Sequence, residues 1–367
     1  MHRHLITKPT RRSFLALALA LSILPFSPVS AQDKPSTASW ENVSDEFFKS
    51  IETYDLKPEF SRRCVGLGVT PKGEIFIVTP KKGLCVSKDQ GKSWAVMADN
   101  GLSGRGEFGF FSIAYPYDGR FAIFTIDGKG GFTTDSGVTW RTFAPHHRAF
   151  DFGDLDWSSP EPKTIYARSH EPTFRVLSTD GGASWTRLDA QESEKISTGY
   201  RLGVVNATTL VQALGPDNRG KGNSSGIALS TDLGKTWTEV SKFSPTGPQP
   251  VHFGKNLYWT TSTGVIISAN GKDWSLVGTE LKDTTFGPYF GKTEAEMMVV
   301  SPQGFFITHD AGKTWKNEAP FFSAPDGLSK GKLVPNCQFT YYGWDPVGNA
   351  IYTSSLGGSV YRLTLKP

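Results

Sequence analysis

The feature that most constrains this chain is a short polar motif that recurs six times and ends each time in tryptophan. A full copy starts with Ser or Thr, has Asp two residues later, and then has Gly, a second hydroxyl residue and Trp. The copies span residues 87–94, 133–140, 178–185, 230–237, 268–274 and 308–315, the fifth being shortened, with Asn270 in place of the aspartate. Their tryptophans are 46, 45, 52, 37 and 41 residues apart, so the chain repeats one supersecondary unit.

The motif predicts a tight turn between two strands. An aspartate side chain accepts hydrogen bonds from turn amides, and glycine supplies a positive φ without steric cost. Apolar runs such as residues 226–229 and 304–307 come directly before the motif and read as strands. We therefore interpret the motif aspartates as turn formers and not as catalysts or metal ligands: Asp89, Asp135, Asp180, Asp232 and Asp310.

The rest of each unit predicts an all-β propeller. Two more strands precede the motif, as in residues 155–157 and 164–167, and four short strands every ~40–45 residues are typical of a propeller blade. WD repeats have a similar period, but their Gly-His and Trp-Asp signatures are absent. Six motif units and a last unit after Trp315 predict seven blades, with six as the alternative. A strand at residues ~38–46 is expected to complete the last blade and close the ring, followed by a helical link at 44–54.

The motif resembles the Asp-box, or BNR repeat, S/T-x-D-x-G-x-T/S-W, of the sialidase-like superfamily. In architecture the chain is most similar to the Ycf48-like photosystem II assembly factors, which are exported single seven-bladed propellers with an arginine patch. That resemblance implies a non-catalytic binding propeller, an assembly or stability factor. The repeat also resembles those of the sialidases and of two-propeller xyloglucanases. The chain has no Arg-Ile-Pro string of the sialidases, and it has one propeller.

The N-terminus predicts export. Residues 10–15, Thr-Arg-Arg-Ser-Phe-Leu, resemble the twin-arginine consensus, and an apolar run at 14–26 and Val29-Ser30-Ala31 follow. We expect a twin-arginine signal peptide at 1–31, a closing strand and linker at 32–58, and the propeller at 59–367. The mature protein would then be periplasmic or secreted, from a bacterium, and a monomer without membrane insertion, since no later segment is apolar enough to span a bilayer.

Charge and cysteine content exclude several classes of function. The predicted signal holds four of the 39 basic residues and no acidic one, so 35 basic and 35 acidic residues remain. This neutrality argues against nucleic-acid binding. Three cysteines argue against a disulfide framework. Cys64 and Cys337 either form one disulfide where the ring closes or are two separate thiols. No ligand spacing indicates a metal, and nothing predicts a cofactor.

The channel mouth is the expected site, because the starts of the first strands and the loops after the second strands share one face. Arginine recurs there, and its planar fork suits carboxylates, sulfates and phosphates. The predicted ligand-binding residues are Arg62, Arg63, Arg105, Arg148, Arg168, His170, Tyr200, Arg201 and His252. Their partner would be an anionic glycan or an acidic protein surface. Alternatively, these arginines form salt bridges with neighbouring carboxylates. The loop 214–225 is either a lid or an inert surface loop.

Two hypotheses follow for the function. In the first, the chain is an exported, non-catalytic propeller that binds a ligand or partner. In the alternative, it is a glycoside hydrolase or polysaccharide lyase acting on an acidic glycan. The alternative needs acid–base carboxylates, for which the candidates are Glu107, Asp151, Asp154 and Glu171.

Overall fold

A computed structural model describes residues 40–51, 66–79, 82–97, 101–106, 110–171, 174–188, 198–215, 225–320, 340–355 and 358–366. All of them lie in one compact unit, Ala38–Pro367. The predicted signal peptide, Arg62, Arg63, Glu107, Cys64, Cys337 and the tip of the loop 214–225 lie outside the described residues.

The strands follow one another in antiparallel groups of four. The first half of the chain contains β1 (Glu41–Asn42), β2 (Leu67–Val69), β3 (Ile75–Thr79), β4 (Gly83–Ser87), β5 (Ala95–Val96), β6 (Phe111–Tyr115), β7 (Phe121–Ile123), β8 (Gly131–Thr133), β9 (Arg141–Thr142), β10 (Phe150–Leu155), β11 (Ile165–Ser169), β12 (Arg175–Ser178) and β13 (Thr186–Arg187). The second half contains β14 (Thr198–Val204), β15 (Leu210–Leu214), β16 (Gly226–Ser230), β17 (Thr238–Ser241), β18 (Val251–Phe253), β19 (Asn256–Thr261), β20 (Gly264–Ser268), β21 (Ser275–Leu276), β22 (Phe286–Phe290), β23 (Met297–Ser301), β24 (Gly304–Thr308), β25 (Lys316–Pro320), β26 (Thr340–Asp345), β27 (Ala350–Ser355) and β28 (Tyr361–Thr364).

The all-β prediction is confirmed, but the predicted blade number is wrong. Five separate four-stranded blades are described: β2–β5, β10–β13, β14–β17, β22–β25, and β1 with β26–β28. The strands β6–β9 and β18–β21 instead form one continuous eight-stranded sheet. The protein is therefore a five-blade propeller with one double-width sheet, and neither seven nor six separate blades.

The double-width sheet forms because two innermost strands lie side by side. β6 and β18 pair in parallel, with His252 opposite Ala114 and Phe253 opposite Tyr115. β6 and β18 are each the first strand of a group and run in the same direction, so a parallel ladder is the pairing available to them. The small side chain of Ala114, which is buried at the pairing, allows the two backbones to approach. Sequence periodicity carries no signal for this contact, because the two strands are far apart in the chain.

The N-terminal strand does join the last blade, as predicted. β1 pairs antiparallel with β28, and Val43 N donates to Val360 O at 2.9 Å. The helix α1 (Asp45–Ser50) follows and buries Phe48 completely. The indole N–H of Trp94, from the first motif, donates to Val43 O at 2.8 Å. This end of the chain is thus tied both to the last blade and to the first motif turn.

Burial decreases from the inner strands to the outer edge of a blade. All five residues of β3, Ile-Phe-Ile-Val-Thr, are buried, as expected of a β-branched and aromatic run. The outermost strands β5, β9 and β13 are two residues long and exposed. Such short edge strands offer little template for pairing with another chain.

The motif turns share one hydrogen-bond pattern. In the third copy, Asp180 Oδ1 accepts from Ser178 Oγ at 2.7 Å and from Ser184 N at 2.9 Å, and Oδ2 accepts from Ser184 Oγ at 2.6 Å. The same contacts recur around Asp89, Asp135, Asp232 and Asp310. In the shortened fifth copy, Asn270 Oδ1 accepts from Asp273 N at 2.9 Å, and its amide donates to Asp273 Oδ2 at 2.8 Å.

Two consecutive left-handed residues shape each full turn. The motif glycine has a positive φ, as at Gly234 (83°), but so does the residue before it, as at Leu233 (60°) and Gln90 (63°). The motif in the sequence predicts a positive φ for the glycine alone. A bulky side chain in this region is strained, so the aspartate hydrogen bonds compensate for a backbone cost that the sequence alone did not reveal.

Candidate functional site

At the channel mouth, backbone hydrogen bonds link the loops of the second group of strands (β6–β9) to those of the third (β10–β13). Isolated antiparallel bridges join Arg105 to Ile126 and Ile126 to Ala149. Asp127 N donates to Arg148 O at 3.1 Å, and His170 N donates to Ala149 O at 3.1 Å. Loops from four places in the sequence are therefore fixed relative to one another before any ligand binds.

This framework presents a cluster that we call the charged rim, which consists of Arg105, Asp127, Arg148, Asp151, Arg168, His170 and Glu171. At its exposed side, Arg148 Nε and Nη2 donate to the two carboxylate oxygens of Asp127 at 2.7 and 2.8 Å. Arg148 Nη1 also pairs with Glu171. The hydrogen bond from Arg148 lowers the pKa of Asp127, and Asp127 in turn raises that of Arg148. Arg148 nevertheless keeps 43% of its side chain exposed.

The inner side of the charged rim centres on Asp151. This carboxylate is 4% exposed, with Oδ1 2.6 Å from His170 Nδ1 and Oδ2 3.1 Å from Arg168 Nη1. Arg105 Nη2 lies 3.4 Å from His170 Nε2. Because a guanidinium can only donate, Nε2 accepts here, and the proton of a neutral imidazole is on Nδ1, facing Asp151. Asp151 thus orients His170 as a base would be oriented, while Arg105 covers its lone pair.

Two residues expected at the mouth are instead buried on the axis. Asp154 is fully buried in β10 and His252 is 3% exposed in β18. Asp154 Oδ2 lies 2.9 Å from His252 Nε2 and accepts from Val204 N at 2.9 Å, and Oδ1 accepts from Ser112 Oγ at 3.1 Å. These contacts join the first strands of four groups, β6, β10, β14 and β18. We call Ser112, Asp154 and His252 the axial polar cluster.

Arg201 is the other predicted site residue whose side chain the structure describes, and it has no hydrogen bond or ion pair to the charged rim among the described contacts. Arg201 is partly buried, donates from Nε to Thr246 O at 2.9 Å, and has its pKa lowered by burial. Tyr200 lies within β14. Arg62, Arg63 and Glu107 lie outside the described residues, as does the possible Cys64–Cys337 disulfide, while Cys85 is a buried thiol.

Of the predicted mouth, the structure therefore unites Arg105, Arg148, Arg168 and His170 with the carboxylates of Asp151 and Glu171. Asp127, which holds Arg148, is not among the predicted ligand-binding or catalytic residues, although its position in the loop after β7 places it at the expected mouth. Arg105, Arg148 and Arg168 form the salt bridges of the alternative interpretation, since each has a carboxylate within ion-pair distance.

The described residues limit two further possibilities. Among them, no group of three or more His, Cys, Asp or Glu side chains is arranged to hold a metal ion. A search of the same residues finds no helix long and apolar enough to cross a membrane.

No protein-family model matches the chain, and a search of curated proteins gives no match. Similar solved structures include a GH74 xyloglucanase from Xanthomonas campestris (16% identity, TM-score 0.31), which covers 79% of this chain and 52% of its own. The chain thus spans about half the length of that enzyme. YCF48 from Cyanidioschyzon merolae is similar over 89% of this chain and 99% of its own (13% identity, TM-score 0.44). A structure of YCF48 bound to D1 peptide is similar over 71% of this chain and 95% of its own, with 13% identity and a TM-score of 0.35.

Proposed function

We propose that this chain is a non-catalytic propeller that binds an acidic segment of a protein partner at the charged rim. The observation that carries the proposal is Arg148, a half-exposed guanidinium held between two carboxylates on a hydrogen-bonded loop framework. Arginine is among the residues that most often dominate protein interfaces. A group that is already oriented loses little side-chain entropy on binding.

The charge at the rim favours an acidic partner. Arg105, Arg148 and Arg168 face Asp127, Asp151 and Glu171, so the arginines and carboxylates balance. Lys129, exposed on the loop of Asp127, adds a further positive charge. A partner carboxylate can then replace Glu171, which is 68% exposed, as the partner of Arg148 Nη1. The exchange costs little because both groups are partly hydrated.

Burial of the candidate carboxylates supports a binding role. Asp151 and Asp154 are the candidates at the inner end of the site, and their oxygens are occupied by protein donors. A general acid or base must reach the proton that it transfers. We therefore place Asp151 and Asp154 among the residues that position the rim and the inner strands. The same proposal includes twin-arginine export and a role as an assembly or stability factor outside the cytoplasm.

The test uses synthetic peptides of equal length that are acidic, neutral or basic, beside acidic and neutral oligosaccharides. We expect the acidic peptide to bind in a salt-dependent manner, and Arg148→Ala to weaken it at least about tenfold. Lys242→Ala is the matched control, because Lys242 is an exposed cation paired with Glu239 away from the rim. Equal binding of the acidic and basic peptides, or full binding by Arg148→Ala, would contradict the proposal.

A second candidate function rests on the His170–Asp151 pair. An imidazole oriented by a carboxylate is a suitable general base once a substrate carboxylate draws Arg105 away from its Nε2 lone pair, and the same arginine can then neutralise a uronate. This geometry fits β-elimination in an acidic polysaccharide. Each polysaccharide sample is therefore also followed for the ultraviolet absorbance of an unsaturated product. Product formed by the wild type and lost in His170→Gln would replace the binding proposal with a lyase.

A further inference from the structure

A cavity of about 90 Å³ lies on the inner side of the propeller and is partly open to solvent. Its walls come from the first strands β2, β6, β18, β22 and β26 and the residues beside them. Aromatic rings dominate this lining: Phe110, Phe111, Tyr115, Tyr289, Tyr341 and Tyr342. Neither of the two hypotheses drawn from the sequence concerns this cavity.

The walls of the cavity are fixed by packing. A Cβ on Gly68 would lie 2.5 Å from the Phe111 ring, so the ring lies directly on the glycine backbone. The Tyr341 hydroxyl donates to Gly106 O at 2.6 Å. The Tyr115 and Phe290 rings pack edge to face at 5.2 Å. Side chains held in this way do not collapse into the empty space, so the volume is available to a ligand.

The chemistry of the lining restricts the ligand. None of the described residues around the cavity carries a charged side chain. The hydroxyl of Ser112, at its border, already donates to Asp154 and accepts from Trp157 Nε1 at 2.9 Å. An ionic group would lose its hydration here without a compensating partner. An apolar ring would bury its surface against aromatic faces.

The volume restricts the ligand further. About 90 Å³ corresponds to roughly three waters of the bulk liquid, and a closed cavity of roughly 150 Å³ is known to admit benzene. Because this cavity is partly open, a single five- or six-membered ring fits with one edge toward solvent. A fused bicyclic ring exceeds the space. Concave sites lined mainly by hydrophobic and aromatic side chains bind small molecules that bury their surface against those side chains.

We infer that the aromatic axial cavity is a binding site for a small, uncharged ligand that carries one compact ring. This site is separate from the charged rim and does not depend on the function proposed for it. The axial polar cluster includes Ser112, the residue at which the two environments meet. On one face of β6, Ser112 therefore forms its hydrogen bonds within the protein, and the other face of β6 lines the cavity.

The test titrates benzene, benzoate and indole into the purified protein, followed by calorimetry and thermal melting. We expect benzene to raise Tm by about 2 °C at ten times its Kd. Benzoate should bind at least about tenfold more weakly because of its charge, and indole likewise because of its size. Equal binding of benzoate and benzene, or no binding of benzene up to its solubility, would overturn the inference.

Two variants locate the binding. Val251 lines the cavity, so Val251→Phe should fill it and abolish benzene binding. Val138→Phe adds the same ring at a position that is 77% exposed and should leave binding unchanged. Phe111→Leu widens the cavity and should admit indole, which gives a gain of binding that general destabilisation cannot imitate. Benzene binding that persists in a folded Val251→Phe protein would place the ligand elsewhere.

Discussion

The motif turns and the charged rim lie at opposite ends of the blade β10–β13, and they are held by contacts of different range. At the turns, aspartate binds groups two and four residues away. At the rim, His170 is 19 residues from Asp151 and 65 from Arg105 in sequence, and on the axis Asp154 is 98 residues from His252. The turns therefore repeat with the sequence motif, whereas the rim and the axial polar cluster each occur once.

This difference in contact range separates the parts of the molecule that contribute to stability from the part that is available for binding. Each turn is a local device, present in several copies, so the loss of one leaves the others intact. The axial polar cluster joins four groups of strands through one carboxylate, and nothing duplicates it among the described residues. The outer side of the rim, where Arg148 pairs with Asp127 and Glu171, is partly exposed, and its salt bridges are worth little in stability, which leaves these charges available for binding.

The largest effect is expected at the axial polar cluster. Asp154→Ala removes the acceptor for Ser112 Oγ, Val204 N and His252 Nε2 in a fully buried site. Removing one partner of a buried pair typically costs about 3–5 kcal/mol. We expect the free energy of unfolding, measured in urea, to fall by about that amount. Asp127→Ala is the control, an ion-paired but 45% exposed aspartate expected to cost about 1 kcal/mol or less. Similar losses for both would remove the distinction between axis and rim.

A collective effect of the turns is expected in acid. Hydrogen bonds from Ser184, Thr236 and Thr314 lower the pKa of Asp180, Asp232 and Asp310 to about 2, from 3.8. The folded state thus binds these protons less readily than the unfolded state. Their stabilisation is fully present above pH 3.8 and is lost as the pH falls toward 2.

The urea midpoint should therefore decrease across this interval. The triple variant with Asp180→Asn, Asp232→Asn and Asp310→Asn should show a shallower decrease. The decrease in midpoint that remains in the triple variant comes from the other carboxylates whose pKa is lowered, those of Asp89, Asp135 and Asp127. An unchanged slope in the triple variant would show that the turn carboxylates contribute nothing to acid stability.

The smallest effect is expected for one turn alone. Asp232→Ala removes the acceptor for Ser230 Oγ, Thr236 N and Thr236 Oγ. By analogy with the loss of a helix cap, this should cost about 1 kcal/mol, measured by urea unfolding. Asp232→Asn should cost less, since Asn270 fills the same position in the fifth copy and keeps its contacts to backbone amides. A greater loss with Asn than with Ala would contradict the turn role.

Prediction from sequence succeeded where the determining contacts are close in the chain. The motif copies, the strands on either side and the pairing of the N-terminal strand with β28 follow from composition at fixed spacing. The mouth was predicted only in part. Arg105, Arg148, Arg168 and His170 do meet, but His252 and Asp154, which the sequence predicts at the channel mouth, are buried, because alternation along a short strand does not reveal how near the axis it lies. The predicted blade number was wrong for a similar reason, because the sequence does not reveal that β6 and β18 pair.

By itself, the sequence determined the repeating turn, because aspartate, glycine and two hydroxyl groups within eight residues satisfy one another whatever surrounds them. It also determined that the chain is all-β, since apolar and β-branched runs recur between those turns. Only the tertiary structure decided that β6 and β18 share a sheet, that Asp154 is buried against His252, and that Asp127 holds Arg148. These outcomes depend on how closely distant segments approach, and hydrogen bonds and salt bridges form only over a few ångströms.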